Sequence, residues 1–238
     1  MNLIPLPEFW AVIPAAGVGA RMRADRPKQY LRLGERTVLE HTLGCFLGHP
    51  TLKGLVVCLA EDDPWWPGLA CAGDPRIARV AGGCERADSV LNGLLHLLEL
   101  GADEHDWVLV HDAARPNLSR EDLDLLLGEL AEDPVGGLLA VPARDTLKRV
   151  GKDGRVRETV DRSVIWQAYT PQMFRLGALH RSLADARVSR VAITDEASAL
   201  EWAGQAPRLV EGRADNLKIT RPEDLEWLRQ RWGLGSGD

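Results

Sequence analysis

The chain is short of the features that mark several large protein classes. No CxxC pair occurs, and Cys45, Cys58, Cys71 and Cys84 are spaced as in no metal or redox motif. The 6 histidines form no HxH or HExxH pattern, which argues against zinc. No apolar run reaches the roughly 18 residues of a membrane helix. Met1 to Trp10 lacks the basic segment of a secretory signal. A net charge of −6 argues against a nucleic-acid coat, although a basic pocket can sit on an acidic body. No P-loop GxxxxGKS or GxxxxGKT is present. The dinucleotide pattern GxGxxG fails as well, because Met22 stands where a third glycine is needed. These absences point to a cytoplasmic protein with unlinked thiols and no membrane or nucleic-acid partner. They also speak against a nicotinamide-dependent dehydrogenase.

What remains is a regular alternation of two patterns over 238 residues, a length that suits one domain. Short continuous apolar runs at 9–15, 54–60, 77–81, 107–111 and 137–141 read as strands covered on both faces. Between them, 38–48 reads as a helix with Val38, Leu39, Thr42, Leu43 and Phe46 on one face. A second helix over 87–100 carries a stripe of Val90, Leu91, Leu94, Leu95 and Leu98. Ser119 with Asp122 has capping-box spacing ahead of a helix over 120–132. Further helices are expected over 175–187 and 195–203, and a strand at 208–211 precedes a last helix over 222–232. Thr220 with Glu223 would cap that helix, and Pro222 falls in its first turn.

Alternation of this kind predicts a three-layer α/β sandwich on a mostly parallel sheet. Ligands in such sheets bind beyond the carboxyl ends of the strands, which singles out the loops after residues 15, 81, 111 and 141. The rhythm breaks at 142–172. There Thr146–Val150 and Arg155–Val160 flank Gly151-Lys152-Asp153-Gly154, the pattern of a β-hairpin. It is too small for a domain and too polar for core, so it reads as an arm on a single domain spanning 1–238. The pair Trp65-Trp66 reads as packing against a sheet edge or a partner subunit.

The first loop, Pro14-Ala15-Ala16-Gly17-Val18-Gly19-Ala20-Arg21, is built of small residues that let backbone N–H groups approach a phosphate. Arg21 and Lys28 follow it. A polyphosphate needs several cations, and arginine offers a fork where lysine offers a point charge. Glycines alone would not separate a phosphate loop from any tight strand-to-helix turn, and either cation could equally be a solvated surface charge.

AVIPAAGVGARM followed by PKQYL resembles the opening of sugar-activating nucleotidyltransferases. GGCERADSV (82–90), VHDAARP (110–116), RDTLKR (144–149), TVDR (159–162), TPQMF (170–174), ITDEASALE (193–201) and EGRADNLKITRPEDL (211–225) extend the resemblance. Together they resemble the 2-C-methyl-D-erythritol 4-phosphate cytidylyltransferases of the non-mevalonate isoprenoid pathway, in that family's order, from about residue 10 to 228. The resemblance implies a Rossmann-like nucleotidyltransferase fold and attack of a polyol phosphate on the α-phosphate of CTP. It implies Arg21 and Lys28 as transition-state cations, and Arg162 and Lys218 as the residues that bring in the second substrate. Thr146, Thr170 and Thr194 match the polar residues around that sugar phosphate. The nucleotide would be read by Pro14, Ala15, Ala16, Gly17, Gly19, Gly82, Gly83, Ser89, Asp112 and Ala113. Cys84 departs from the acidic residue common after the two glycines. Mg²⁺ is expected, with Asp112 near it and Asp215 as a further candidate. Arg115 would hold phosphate or ribose, or buttress the loop by pairing with a carboxylate. The resemblance also implies a homodimer in which the arm at 142–172 reaches into the partner's site. Ribitol 5-phosphate cytidylyltransferase shares this fold and chemistry, and a non-catalytic nucleotide-binding module is a second alternative.

Overall fold

A computed structural model describes residues 5–17, 22 and 25–234. Its centre is a seven-stranded sheet. β1 (Phe9–Pro14) is followed by a short ribbon of β2 (Arg32–Leu33) and β3 (Arg36–Thr37), then α1 (Val38–Leu47) and β4 (Leu52–Leu59). Next come β5 (Ile77–Ala81), α2 (Arg86–Glu99), β6 (Trp107–Val110), α3 (Arg120–Leu130) and β7 (Gly136–Pro142). β8 (Leu147–Val150) and β9 (Val156–Val160) form the arm. β10 (Trp166–Arg175), α4 (Leu176–Val188), α5 (Glu196–Trp202), β11 (Arg208–Glu211) and α6 (Pro222–Arg231) complete the chain.

The strand order is β11-β7-β10-β6-β1-β4-β5. Only β10 runs antiparallel to its neighbours, β6 and β7. The chain steps from β1 to β4 and β5, then returns to place β6 on the other side of β1. That reversal opens a crevice at the carboxyl ends of β1 and β6, where open α/β sheets bind ligands.

Alternate strand residues feed two separate cores, which is what makes three layers. Phe9, Ala11 and Ile13 of β1, with Leu109 of β6, pack on Leu39, Leu43 and Phe46 of α1 and on the leucines of α3. Val12, Val56, Val108 and Val110 face the other way, onto Val90, Leu94 and Leu97 of α2 and Leu179 of α4. A smaller cluster of Leu33, Val38, Ala114, Ile219 and Leu228 seats α6 over the loops. α1 begins with a full capping box: Glu40 N–H donates to Thr37 Oγ1 at 3.2 Å, and Thr37 N–H donates to Glu40 Oε2 at 2.7 Å. Its expected inward face is buried throughout.

The structure corrects several local expectations. In α2 the inward residues are Val90, Leu91, Leu94 and Leu97, while Leu95 is 42% exposed. Ser119 does cap α3, accepting from Asp122 N–H at 3.1 Å, but the Asp122 carboxylate turns away to accept from Arg213 N–H. α6 is capped one residue later than expected, with Thr220 and Arg221 N–H groups both donating to Asp224 Oδ2. β10, a full strand of the sheet, begins inside the span read as arm. Pro171 cannot donate to a ladder, and it falls where the β10–β7 register shifts, between Ala168 and Gln172. The hairpin itself is present, with Gly154 N–H donating to Gly151 O across the turn. Trp66 is fully buried in the sheet core and Trp65 packs beside Tyr30.

Candidate active site

Three loops meet at the crevice: those after β1, β5 and β6. Pro14, Ala15, Ala16 and Gly17 form one wall, Gly83, Ser89 and Arg86 a second, and Asp112 and Ala113 the floor; Lys28 and Lys218 lie at the rim. The first loop is held from below. Buried Gln29 donates its side-chain N–H to the carbonyls of Ala15 and Gly17 at 2.6 and 3.1 Å, and the Ala15 N–H itself donates to Cys58 O at 2.8 Å.

Gly82 and Gly83 are where two elements come too close for a side chain. A Cβ on Gly82 would lie 2.4 Å from Ala16 Cβ, and one on Gly83 would lie 2.2 Å from Asp88 Cβ. This closeness puts the Gly83 N–H 3.0 Å from Ser89 Oγ, which in turn donates to Glu85 O. The glycine turn is thereby locked to the first turn of α2.

Asp112 is the centre of charge. Its carboxylate is 7% exposed and meets three cations: Arg86 Nε at 3.1 Å on Oδ1, with Arg115 Nε at 3.2 Å and Lys218 Nζ at 3.0 Å on Oδ2. Burial alone would push this carboxyl up. The facing charges of Arg86, Lys218 and Arg115 outweigh it and hold Asp112 well below the usual carboxylate range. Arg86 uses both terminal nitrogens on Glu196, at 2.6 and 3.1 Å. With Glu85 also lining the pocket, the three cations are matched by three carboxylates, and Lys28 tips the balance to positive. Such a site favours an anion rich in oxygen acceptors.

The backbone of Asp112 is fixed by a chain of hydrogen bonds whose protons can be assigned. His111 Nε2 lies 3.0 Å from Arg115 O, an acceptor, so Nε2 carries the proton. Nδ1 therefore accepts from the Thr170 hydroxyl at 3.0 Å, and that same oxygen accepts from Asp112 N–H at 3.1 Å. The ring is fully buried, and burial pushes its pKa down to about 4, so it stays neutral.

Of the residues expected at the site, Pro14, Ala15, Ala16, Gly17, Lys28, Gly83, Ser89, Asp112, Ala113 and Lys218 line one pocket, and Gly82 packs directly behind it. Gly19 and Arg21 lie outside the described residues. Arg115 is buried as a buttress: besides Asp112 it donates to Asn216 O at 2.6 Å and stacks over Tyr169. Thr170 stands behind Asp112. Thr146 and Thr194 are exposed, at the root of the arm and just before α5. Arg162 is exposed at the root of the arm, donating to Arg144 O. Asp215 does not line the pocket; its carboxylate is held by Arg213 and Arg231, each at 2.8 Å. The loop after β7 leads into the arm and contributes nothing to the pocket among the described residues. Sequence reading passed over Gln29, Arg86, Glu196 and Asn216. Gln29, Glu196 and Asn216 are distinguished from ordinary polar residues only by burial and hydrogen bonding, and Arg86 by its part-buried fork, and none of these settings is written locally.

Comparison with known proteins identifies the family. The model of the IspD family, 2-C-methyl-D-erythritol 4-phosphate cytidylyltransferase, matches residues 9–229. A curated protein of that name from Pseudomonas fluorescens (strain Pf-5) is 81% identical over 227 residues, 95% of this chain and 97% of its own. The solved cytidylyltransferase of the same name from Francisella tularensis is 36% identical with a TM-score of 0.82, covering 95% of this chain and 100% of that one. A solved 4-diphosphocytidyl-2C-methyl-D-erythritol synthase is 44% identical with a TM-score of 0.81, covering 94% and 97%.

Proposed function

The chain belongs to the family of 2-C-methyl-D-erythritol 4-phosphate cytidylyltransferases, and we propose that the pocket between the β1, β5 and β6 loops is where it does this family's chemistry. The enzyme transfers a cytidylyl group from CTP to 2-C-methyl-D-erythritol 4-phosphate, giving CDP-methylerythritol and pyrophosphate. The observation that carries the assignment of the site is the convergence of Lys28, Lys218 and Asp112 on one crevice at the sheet's switch point.

The N–H groups of the first loop and the Gly83–Ser89 turn take the nucleotide. The attacking phosphate monoester has its second pKa near ~6, so it is already a nucleophile at neutral pH and needs no general base. The protein's work is to bring the two anions into line and to offset the charge that grows on the α-phosphate and the leaving pyrophosphate. Lys28, with Arg21, supplies that charge. Lys218 moves between Asp112 and the incoming phosphate, and Arg162 orients the same phosphate.

A divalent cation would have Asp112 as its one carboxylate donor here and would have to displace one of the three cations now facing it, Arg86, Arg115 or Lys218. Asp112 offers a carboxylate in the pocket, and Mg²⁺ bound with a nucleotide draws most of its other oxygens from phosphates and water. Asp112 would hold the ion, which would neutralise part of the phosphate charge when bound. No group of three His, Cys, Asp or Glu side chains among the described residues could hold a metal without such phosphates.

We infer a homodimer through the arm. Val150, Val156 and Val164 are 60%, 59% and 73% exposed there, an apolar surface suited to a second copy, and Arg162 would then serve the partner's pocket. A cytoplasmic setting agrees with four free thiols, one of them, Cys84, exposed. The test is pyrophosphate release from Mg-CTP with methylerythritol phosphate or with ribitol 5-phosphate. Release with the former is expected; release with ribitol phosphate alone would overturn the substrate.

A further inference from the structure

Arg86 is the first residue of α2 and Glu196 the first of α5, and the two are 110 residues apart in sequence. The Arg86 guanidinium donates through Nε to Asp112 and through both terminal nitrogens to Glu196, so a single planar cation joins the ends of β6, α2 and α5. Glu196 is 1% exposed, and its two oxygens receive this fork. α2 begins just past the Gly83 turn on the nucleotide side. α5 begins two residues after Thr194, on the side assigned to the sugar phosphate.

We propose that Arg86 and Glu196 are a positioning pair for the transfer reaction, aiming the Asp112 carboxylate and setting the Thr194 segment against the nucleotide. This rests on the reading of the pocket given above. Asp112 keeps two other cations, Arg115 and Lys218, so neutralising its charge does not require Arg86. What Arg86 alone provides is direction, because a fork fixed on Glu196 can approach Oδ1 from only one side. Glu196 has the complementary task. It cancels the Arg86 charge, so that Asp112 is not surrounded by three uncompensated cations and Arg86 does not swing toward a bound polyphosphate. An ion pair with one member buried, as Glu196 is, is seldom needed for stability, since apolar residues of like volume often replace such pairs without loss. Its presence here, in contact with the pocket floor, is explained by alignment.

The experiment compares wild type with Glu196→Gln, Arg86→Lys and the double variant Arg86→Met/Glu196→Met, reading kcat and the KM of each substrate with the melting temperature. Arg86→Lys keeps the charge on Asp112 and loses the fork. Its expected kcat is lower by about 10², the scale of a 1 Å misplacement, with the KM for methylerythritol phosphate raised and that for CTP little changed. Glu196→Gln should behave alike. The double variant should melt near wild type and stay equally slow. Wild-type kcat in a folded double variant, or in Arg86→Lys should the double not fold, would make the pair structural only and overturn the proposal. Lys28→Ala is the control: full turnover in that variant would overturn the pocket reading itself, whatever the pair does.

Discussion

The Lys28 ammonium donates to the main-chain carbonyl of Ile219 at 2.9 Å, joining the segment after the first loop to the one that carries Lys218. Ile219 N–H in turn donates to Ala114 O, just past Asp112. Both rim lysines are thus referenced to the floor of the pocket, and each is anchored by a separate oxygen.

Lys28→Ala is therefore expected to cut turnover by about 10³ or more, the scale of a lost phosphoryl-transfer cation. The lysine is part-buried at a pocket rim and contributes nothing to the three core clusters, so the melting temperature should move little. Steady-state pyrophosphate release with a thermal melt tests both halves.

Gly83→Ala should damage nucleotide binding before chemistry. The added methyl meets Asp88 Cβ and its backbone, so the first turn of α2 must shift, at roughly 1–3 kcal/mol. The KM for CTP should rise more than the KM for the polyol phosphate. Titration calorimetry with CTP gives the direct reading.

Asp112→Asn removes the charge that three cations share. Breaking one side of a buried pair costs about 3–5 kcal/mol, so a lower melting temperature is expected along with collapsed turnover. A chelator should abolish wild-type activity, and added Mg²⁺ should restore it. In the variant, half-maximal activity should need more Mg²⁺ than in wild type.

Stability should fall on acidification through His49. Burial holds its pKa below the ordinary value, over the opposing pull of Asp124 at 2.9 Å and helped by Arg120. Below pH ~6.5 the unfolded chain binds a proton that the folded ring resists. The contribution is complete above that pH and is lost as pH drops toward the folded value. Urea midpoints at pH 7.5 and 5.5 should differ less in His49→Gln than in wild type.

Mixing Arg162→Ala with Lys28→Ala tests the shared site. If each arm serves its neighbour, random hybrid dimers carry one intact pocket, and the mixture regains roughly a quarter of wild-type activity. No recovery would show that each subunit is self-contained.

Much of the layered frame was written in local pattern. Continuous apolar runs specify strands that are covered on both faces, as at Trp107–Val110, and the helix from Val38 fell where its periodicity put it. Ten of the pocket residues could be named in advance, because the family motifs that carry them are each contiguous in sequence. Sequence could not tell Leu95 from Leu97, since either fits a helical stripe and only the position of the sheet chooses between them. It hid β10 behind Pro171. Nor could it show that Arg86, Arg115 and Lys218 share one carboxylate, or that Thr170 spends its hydroxyl on His111 and Asp112. Charge and hydrogen-bond pairing depend on distances of about 3 Å between segments that are remote along the chain, and only packing sets those distances.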